Sequence, residues 1–293
     1  MKNEDNIYEF AFKLFRPYLI KKKETLDELA STLKKAKINL SAEHYYAFSL
    51  LLVLLILPVA LFISILFVSL LDLSLTNILL AIGISLGAAF GIRTLVLFYP
   101  QTKKDVRKKK IENAISFSTL YITTMAESSI LPKDMFRLMG QLEEYGEISD
   151  EARRISEDID GLGLDLPSAI ERAINRSPSR EWSEFLSGFK TAIISGGDLK
   201  EYLREKTKGY TEAYKRKLVS FGKILAMLLQ MYLTVVGIGT VFFVVMSSLM
   251  GVIGGISTTM IKTMQYSMVL LGIPLATVAM IIIIRAVSPL SVK

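Results

Sequence analysis

Four stretches of this chain carry no charged side chain and are long enough to cross a lipid bilayer: residues 45–71, 73–92, 224–261 and 265–284. They hold 27, 20, 38 and 20 residues, and about 20 apolar residues of helix span the hydrocarbon core. A hydrophobic fraction of 51% and a mean hydropathy of +0.42 agree, since both exceed what a soluble domain of 293 residues usually carries. A charged segment of 44 residues precedes the first run. That is too long for the n-region of a signal peptide, so the first span is expected to stay in the mature protein. The chain has no cysteine, which excludes disulfides, iron–sulfur clusters and thiolate chemistry.

The net charge of +7 is distributed unevenly. Residues 1–44 hold nine Lys/Arg, residues 100–223 hold twenty-two and residues 285–293 hold two, whereas the two short loops share only Lys262. By the positive-inside rule both termini and the middle segment are expected in the cytoplasm. The clusters beside the spans carry most weight, notably Lys103, Lys104, Arg107 to Lys110 and Lys215 to Lys217.

Ahead of the first span, residues 7–15 and 24–37 have helical periodicity, with Pro17 and Lys21, Lys22 and Lys23 between them. Phe10, Leu14 and Phe15, then Leu26, Leu29 and Leu33, give each segment one apolar face, suited to lipid headgroups or to packing on the middle segment. Ser41 is placed to cap the first membrane helix, and Pro58 removes a backbone donor near its middle, where a kink is expected. Residues 72–77 leave room only for a tight turn, so spans one and two are antiparallel neighbours. Gly83, Gly87 and Gly91 fall four apart on one face of span two, a small-residue stripe that admits a close helix, either from this chain or from a second subunit.

The middle segment shows no strand pattern and divides into helices at 111–127, 132–145, 150–160, 166–175, 178–194 and 199–217. Pro132 and Pro178 suit first turns, Ser149, Asp165 and Ser177 can accept orphan amides, and Gly146 and Gly161 to Gly163 break the helices before them. In the stretch ISGGDLKEYL, Gly196 and Gly197 supply a left-handed turn, and Asp198 with Glu201 starts the next helix. That helix meets no breaker through Tyr210 and Tyr214 into the third span, so a push on the hairpin would reach the bilayer along a stiff rod. Leu199, Tyr202 and Leu203 are expected to mate with Leu186, Phe189 and Ile193.

No catalytic constellation is present in the sequence. His44 is the only histidine and has no partner for a metal site. Gly161-Leu162-Gly163 lacks the rest of a dinucleotide fingerprint, and no phosphate-binding Gly-Lys-Ser/Thr loop exists, so no ATP hydrolysis, enzymatic activity or cofactor is expected. Glu143/Glu144 and Glu157/Asp158 read as solvated helix faces, and Trp182 as a core anchor. Within the spans, Arg93 is close enough to the edge to snorkel, and Gln230 invites a hydrogen bond from another helix of the bundle or from a passing substrate helix. A small transporter or channel subunit is a rival reading, weakened by the lack of paired intramembrane charges. A membrane-anchored scaffold or adaptor is a second.

Tyr99-Pro100 followed by KKKIENAISFSTLYITTMAES, LEEYGEISDEARRISEDIDGLGLDLPSAIERA and SPSREWSEFLSGFKTAIISGGDLKEYL resembles the type II secretion F-domain family. The likeness is strongest to its archaeal branch, the membrane platform proteins of type IV pilus-like filaments and the archaellum. It covers about residues 99–245 and, more weakly, AKINLSAEHYYAF. Relatives often carry two copies of the domain, and this sequence contains one, which favours a pilus or Tad-like system built from half-size platform subunits.

The resemblance implies an all-α, polytopic membrane protein with four transmembrane helices and a cytoplasmic bundle of about six helices between the second and third spans. The expected divisions are residues 1–44, 45–99, 100–217 and 218–293. It further implies a non-enzymatic protein of the cell membrane whose partners are a hexameric assembly ATPase, pilin subunits, lipids, and a second copy or a half-size homologue, with no nucleic acid. Lys103, Lys104, Arg107, Arg153 and Arg154 are the candidate ATPase contacts, at helix positions expected to be exposed. Arg93 and Gln230 are the candidate pilin contacts, Gly196, Gly197, Asp198 and Glu201 the transmission hairpin, and Gly83, Gly87 and Gly91 the candidate oligomer face.

Overall fold

A computed structural model describes residues 12, 13, 15, 22–69, 75–253 and 257–287. The expectations for most of 7–15, for the turn at 72–74 and for the last six residues lie outside these. Among the described residues every regular element is a helix. In chain order they are α1 (Lys23–Lys35), α2 (Ala42–Ser69), α3 (Leu75–Glu127), α4 (Pro132–Gln141), α5 (Glu147–Asp160), α6 (Leu166–Arg176), α7 (Arg180–Ser195), α8 (Leu199–Tyr232), α9 (Gly239–Ile253), α10 (Thr258–Ser267) and α11 (Ile273–Val287). A 3₁₀ turn, Glu143–Tyr145, precedes α5, and π-helical turns join α8 to α9 (Leu233–Ile238) and α10 to α11 (Met268–Gly272).

Four helical stretches are long and apolar enough to cross a membrane: Ala42–Leu66, Ile82–Glu127, Leu199–Ile253 and Thr259–Val287. The chain is therefore a multi-pass membrane protein with a helical bundle between its second and third spans. Two of the spans run on into the bundle as single rods.

The first rod departs from the sequence reading. A separate span at 73–92 and a bundle helix starting at 111 were expected, yet α3 runs for 53 residues straight through Pro100. A proline there removes the amide that would bond to the carbonyl of Val96. The hydroxyl of Tyr45, on α2, donates to that carbonyl at 2.6 Å, so the helix continues with its backbone satisfied. α2 likewise remains one helix through Pro58.

In the bundle, Ile111, Ile115, Ile122, Met135, Phe136, Ile148, Ile155, Ile170, Trp182, Phe185, Phe189 and Leu203 form one buried core. Trp182 stacks on Phe185 with ring centroids 5.2 Å apart, the anchor role expected of it. Two helix starts shift from the sequence reading. α5 begins at Glu147 rather than 150, and Ser149 lies inside it with its hydroxyl donating to the Leu142 carbonyl. α7 begins at Arg180 rather than 178, because Ser179 accepts from the Trp182 amide while Ser177 closes α6. Asp165 caps α6 through the Ser168 amide.

α1 packs Leu26 and Leu33 against Ala42, Tyr45, Tyr46 and Ala47 at the start of α2. It is an amphipathic helix whose apolar face covers the end of the membrane hairpin nearest the bundle.

Candidate functional site

The two rods, α3 and α8, meet inside the bundle. Thr123 Oγ1 on α3 lies 2.7 Å from Thr207 Oγ1 on α8 and 3.3 Å from the Leu203 carbonyl. Nearer the membrane Phe117 and Tyr214 meet edge to face at 5.2 Å. Farther from it Arg204 pairs with Glu127 at 3.2 Å, and Lys200 donates to Ser129 at 3.2 Å. The exposed ion pair contributes little energy by itself. The buried threonine pair fixes the register of the rods, because a slip of either helix would strand a hydroxyl away from water.

α8 is also tied to α7 across the hairpin. Gly196 adopts φ 65°, the left-handed turn that ends α7, and Asp198 accepts from the amides of Lys200 and Glu201 at 2.9 and 3.1 Å. Gly188 lets the Tyr202 ring lie directly on α7, since a Cβ there would stand 2.3 Å from the Tyr202 hydroxyl. That hydroxyl donates to the Phe185 carbonyl at 2.8 Å, and Tyr210 donates to the Glu181 carbonyl at 3.0 Å. Burial, reinforced by the neighbouring Tyr210, pushes the Tyr202 hydroxyl well above the ordinary phenol range. Burial, reinforced by Glu181, pushes Tyr210 up to about 12. Both phenols are neutral donors at physiological pH.

A buried ionic cluster holds the first rod. Arg107 was expected at an exposed position, and the structure corrects this: it is 4% exposed. It donates to Glu147 at 2.8 Å, to Glu151, and to the Lys35 carbonyl at the end of α1 at 2.9 Å. Fully buried Glu151 also accepts from Arg176 at 2.8 Å, and Arg176 reaches Asp158 at the same distance. Burial would lower the Arg176 pKa, but Glu151 and Asp158 outweigh it and the net shift is upward. Each guanidinium spreads its N–H groups over Glu151 and a second carboxylate at fixed angles, an arrangement a lysine ammonium could not reproduce. The helical spacing of Arg107, Ile111 and Ile115 marks the core face of α3 and is the signal by which the sequence could have placed Arg107 inside.

The remaining candidates separate. Lys103 and Arg153 are exposed, while Lys104 and Arg154 are half-buried. Lys104 donates to Gln101 at 3.2 Å, and Arg153 donates to the Gly140 carbonyl and to Asp150. Between α4 and α5 an open cleft of about 680 Å³ is lined by Arg137, Arg153, Glu157 and Asp160, with Arg137 paired to Asp160 at 2.9 Å. Arg93 does not simply snorkel: it donates to the Tyr46 hydroxyl at 2.8 Å and lies 5.6 Å from the centre of that ring. Gln230 is exposed on α8. A Cβ at Gly83, Gly87 or Gly91 would meet nothing within 4 Å, so no other part of the described chain packs closely on that stripe. No cluster of His, Asp or Glu able to hold a metal occurs among the described residues.

Residues 119–251, from the second half of α3 to the end of the third span, match the family Type II secretion system (T2SS), protein F. This chain carries a type II secretion F domain. The chain is also similar to Flagella accessory protein J of Methanocaldococcus jannaschii, 29% identical over 127 residues, covering 42% of this chain and 23% of that protein. It is similar to Flagella accessory protein J of Methanococcus voltae, 30% identical over 143 residues, covering 46% and 24%. The match thus spans about a quarter of the length of these relatives. No solved structure matches the chain significantly. The two rods, the threonine crossing and the glycine hairpin all lie in or beside the matched F domain.

Proposed function

We propose that the chain is the membrane platform of a type IV pilus-like filament or type II secretion-like system, coupling a hexameric ATPase in the cytoplasm to insertion of pilin subunits. The observation that carries this reading is the continuity of α3 and α8 from the F-domain core into the membrane. A displacement of the bundle is delivered to spans two and three along helices that run without a break from bundle to membrane, where a flexible linker would absorb it. The match to the F-domain family and the likeness to proteins named for flagellar accessory roles support the same reading. The Lys/Arg flanks support a topology with both termini and the bundle in the cytoplasm.

Lys103, Lys104, Arg153 and Arg154 remain the proposed contacts for acidic ATPase loops, with Arg107 withdrawn because it is spent inside the bundle. Arg93, engaged by Tyr46, is a weaker pilin contact than exposed Gln230. The open glycine stripe is the proposed face for a second copy or a half-size homologue.

Copurification tests the assignment. The full chain should bring down its cognate ATPase and alter its turnover while hydrolysing no ATP alone. Reversing the four basic charges together should abolish capture at low salt. Undiminished capture would remove the basic docking face, and failure of the native chain to engage any assembly ATPase would remove the platform reading.

A further inference from the structure

Spans three and four each contain one π-helical turn, Leu233–Ile238 and Met268–Gly272. Two side-chain bonds join the spans: Tyr232 Oη to Thr277 Oγ1 at 2.8 Å, and Gln265 Nε2 to Ser247 Oγ at 2.9 Å. Both π turns fall in the interval between these ties, the first beside the Tyr232 tie and the second nearer the Gln265 tie. A proline does not by itself produce such a turn in this chain, because Pro58 and Pro100 both sit in uninterrupted α-helix.

Each turn has residues at its ends that favour a departure from regular α-helix. Pro274 has no amide for the carbonyl of Leu270, inside the second turn. Gly237 and Gly239 end the first turn, and a Cβ at either would meet nothing within 4 Å, so packing does not require a glycine there. Lipid offers no water to a freed carbonyl. Threonine hydroxyls in and beside the turns bond back onto main-chain carbonyls: Thr234 donates to Gln230, Thr240 to Val236 and Thr277 to Ile273, at 2.9, 2.5 and 2.9 Å. Such back-bonding weakens resistance to bending, and π turns are recognised places where helices kink.

We infer that the two π turns form a paired hinge, one on each span between the two ties, at which the outer halves of spans three and four, α9 and α10, swing as one unit on the inner halves. The Gln265 tie holds the outer pair together and the Tyr232 tie the inner pair. The hinge rests on no assumption about partners and makes the outer half of this hairpin softer than the rods below it.

The absence of native cysteine allows a clean test with paired spin labels on the full chain in liposomes. One pair at Met227 and Met250 brackets the first turn, one at Met264 and Ile281 brackets the second, and a control pair at Glu205 and Met227 lies wholly within α8. The hinge gives both bracketing pairs distance distributions about twice as wide as the control. Pro274→Ala restores the missing amide and should narrow both pairs, including the one on the other helix. Gly237→Ala with Gly239→Ala should do the same from the opposite side. Bracketing pairs as narrow as the control would overturn the hinge, and that comparison needs no variant to fold. If each substitution narrowed only its own span, the pairing would be overturned.

Discussion

Tyr45 donates its hydroxyl to the Val96 carbonyl at 2.6 Å, taking the bond that Pro100 cannot make. The longest helix of the protein thus depends on a side chain 51 residues earlier. Tyr45→Phe should leave that carbonyl unsatisfied and destabilise the membrane hairpin by about 1–3 kcal/mol. In a Pro100→Ala background, where the amide returns, the same substitution should cost much less. Thermal unfolding of the four proteins in one detergent measures the coupling, and additive losses would show that the hydroxyl does not substitute for the amide.

Glu151 is fully buried between Arg107 and Arg176. Glu151→Gln should destabilise the bundle by about 3–5 kcal/mol, because it leaves two buried guanidiniums short of one charge. Arg107→Met should cost a similar amount. The pair Arg107→Met with Glu151→Met should lose clearly less than the two single changes added together. Limited proteolysis and thermal midpoints read the difference. A single change that lowered neither would mean that the cluster is not stabilising the rod.

The α7–α8 hairpin should loosen in alkali. Tyr210 titrates near 10 in an unfolded chain and is pushed up to about 12 in the fold. Over that interval the unfolded chain binds fewer protons than the folded one, so stability falls as pH rises. The contribution is complete below about pH 10 and lost on passing through the folded value. Tyr210→Phe should flatten the alkaline limb. Unfolding curves at pH 8 to 12 with identical slopes for both proteins would contradict the assignment.

At Gly188 an added methyl group would stand 2.3 Å from the Tyr202 hydroxyl. Gly188→Ala should therefore displace the ring from α7 and destabilise the hairpin by about 1–3 kcal/mol. Tyr202→Phe, which keeps the ring and loses one hydrogen bond, should cost about 1 kcal/mol. Hydrogen exchange at the α7 and α8 amides distinguishes the two. Equal protection in native and Gly188→Ala protein would show that the approach is not close.

Much of the fold could be read from residue patterns. Four uncharged runs give four spans, and Gly196 and Asp198 give the hairpin because a left-handed turn and a carboxylate cap are local requirements, although Gly197 does not share the left-handed conformation expected of it. The uninterrupted apolar and charged periodicity after Leu199 gives the second rod. The first rod was hidden because proline usually ends a helix, and its remedy at Tyr45 is remote in sequence. Arg107 was hidden in a run of like charges, where only its register with Ile111 and Ile115 separates it from Lys103 and Lys104. The π turns leave no mark in stretches as uniformly apolar as residues 224–253, apart from Pro274 on the facing helix.

The measurement that tests the platform account most directly is filament assembly by a chain whose second rod has been made flexible. Thr207 is a poor place for the break, because it is buried against Thr123 and a change there would disturb the bundle. A Gly-Gly insertion after Lys217 lies beyond Tyr214, whose ring meets Phe117, and each added glycine costs about 1 kcal/mol in a helix interior and adds backbone freedom. With equal amounts of membrane-inserted protein, we expect the insertion to abolish filaments while ATPase capture stays at the native level. Normal filaments from the insertion variant would contradict transmission along α8.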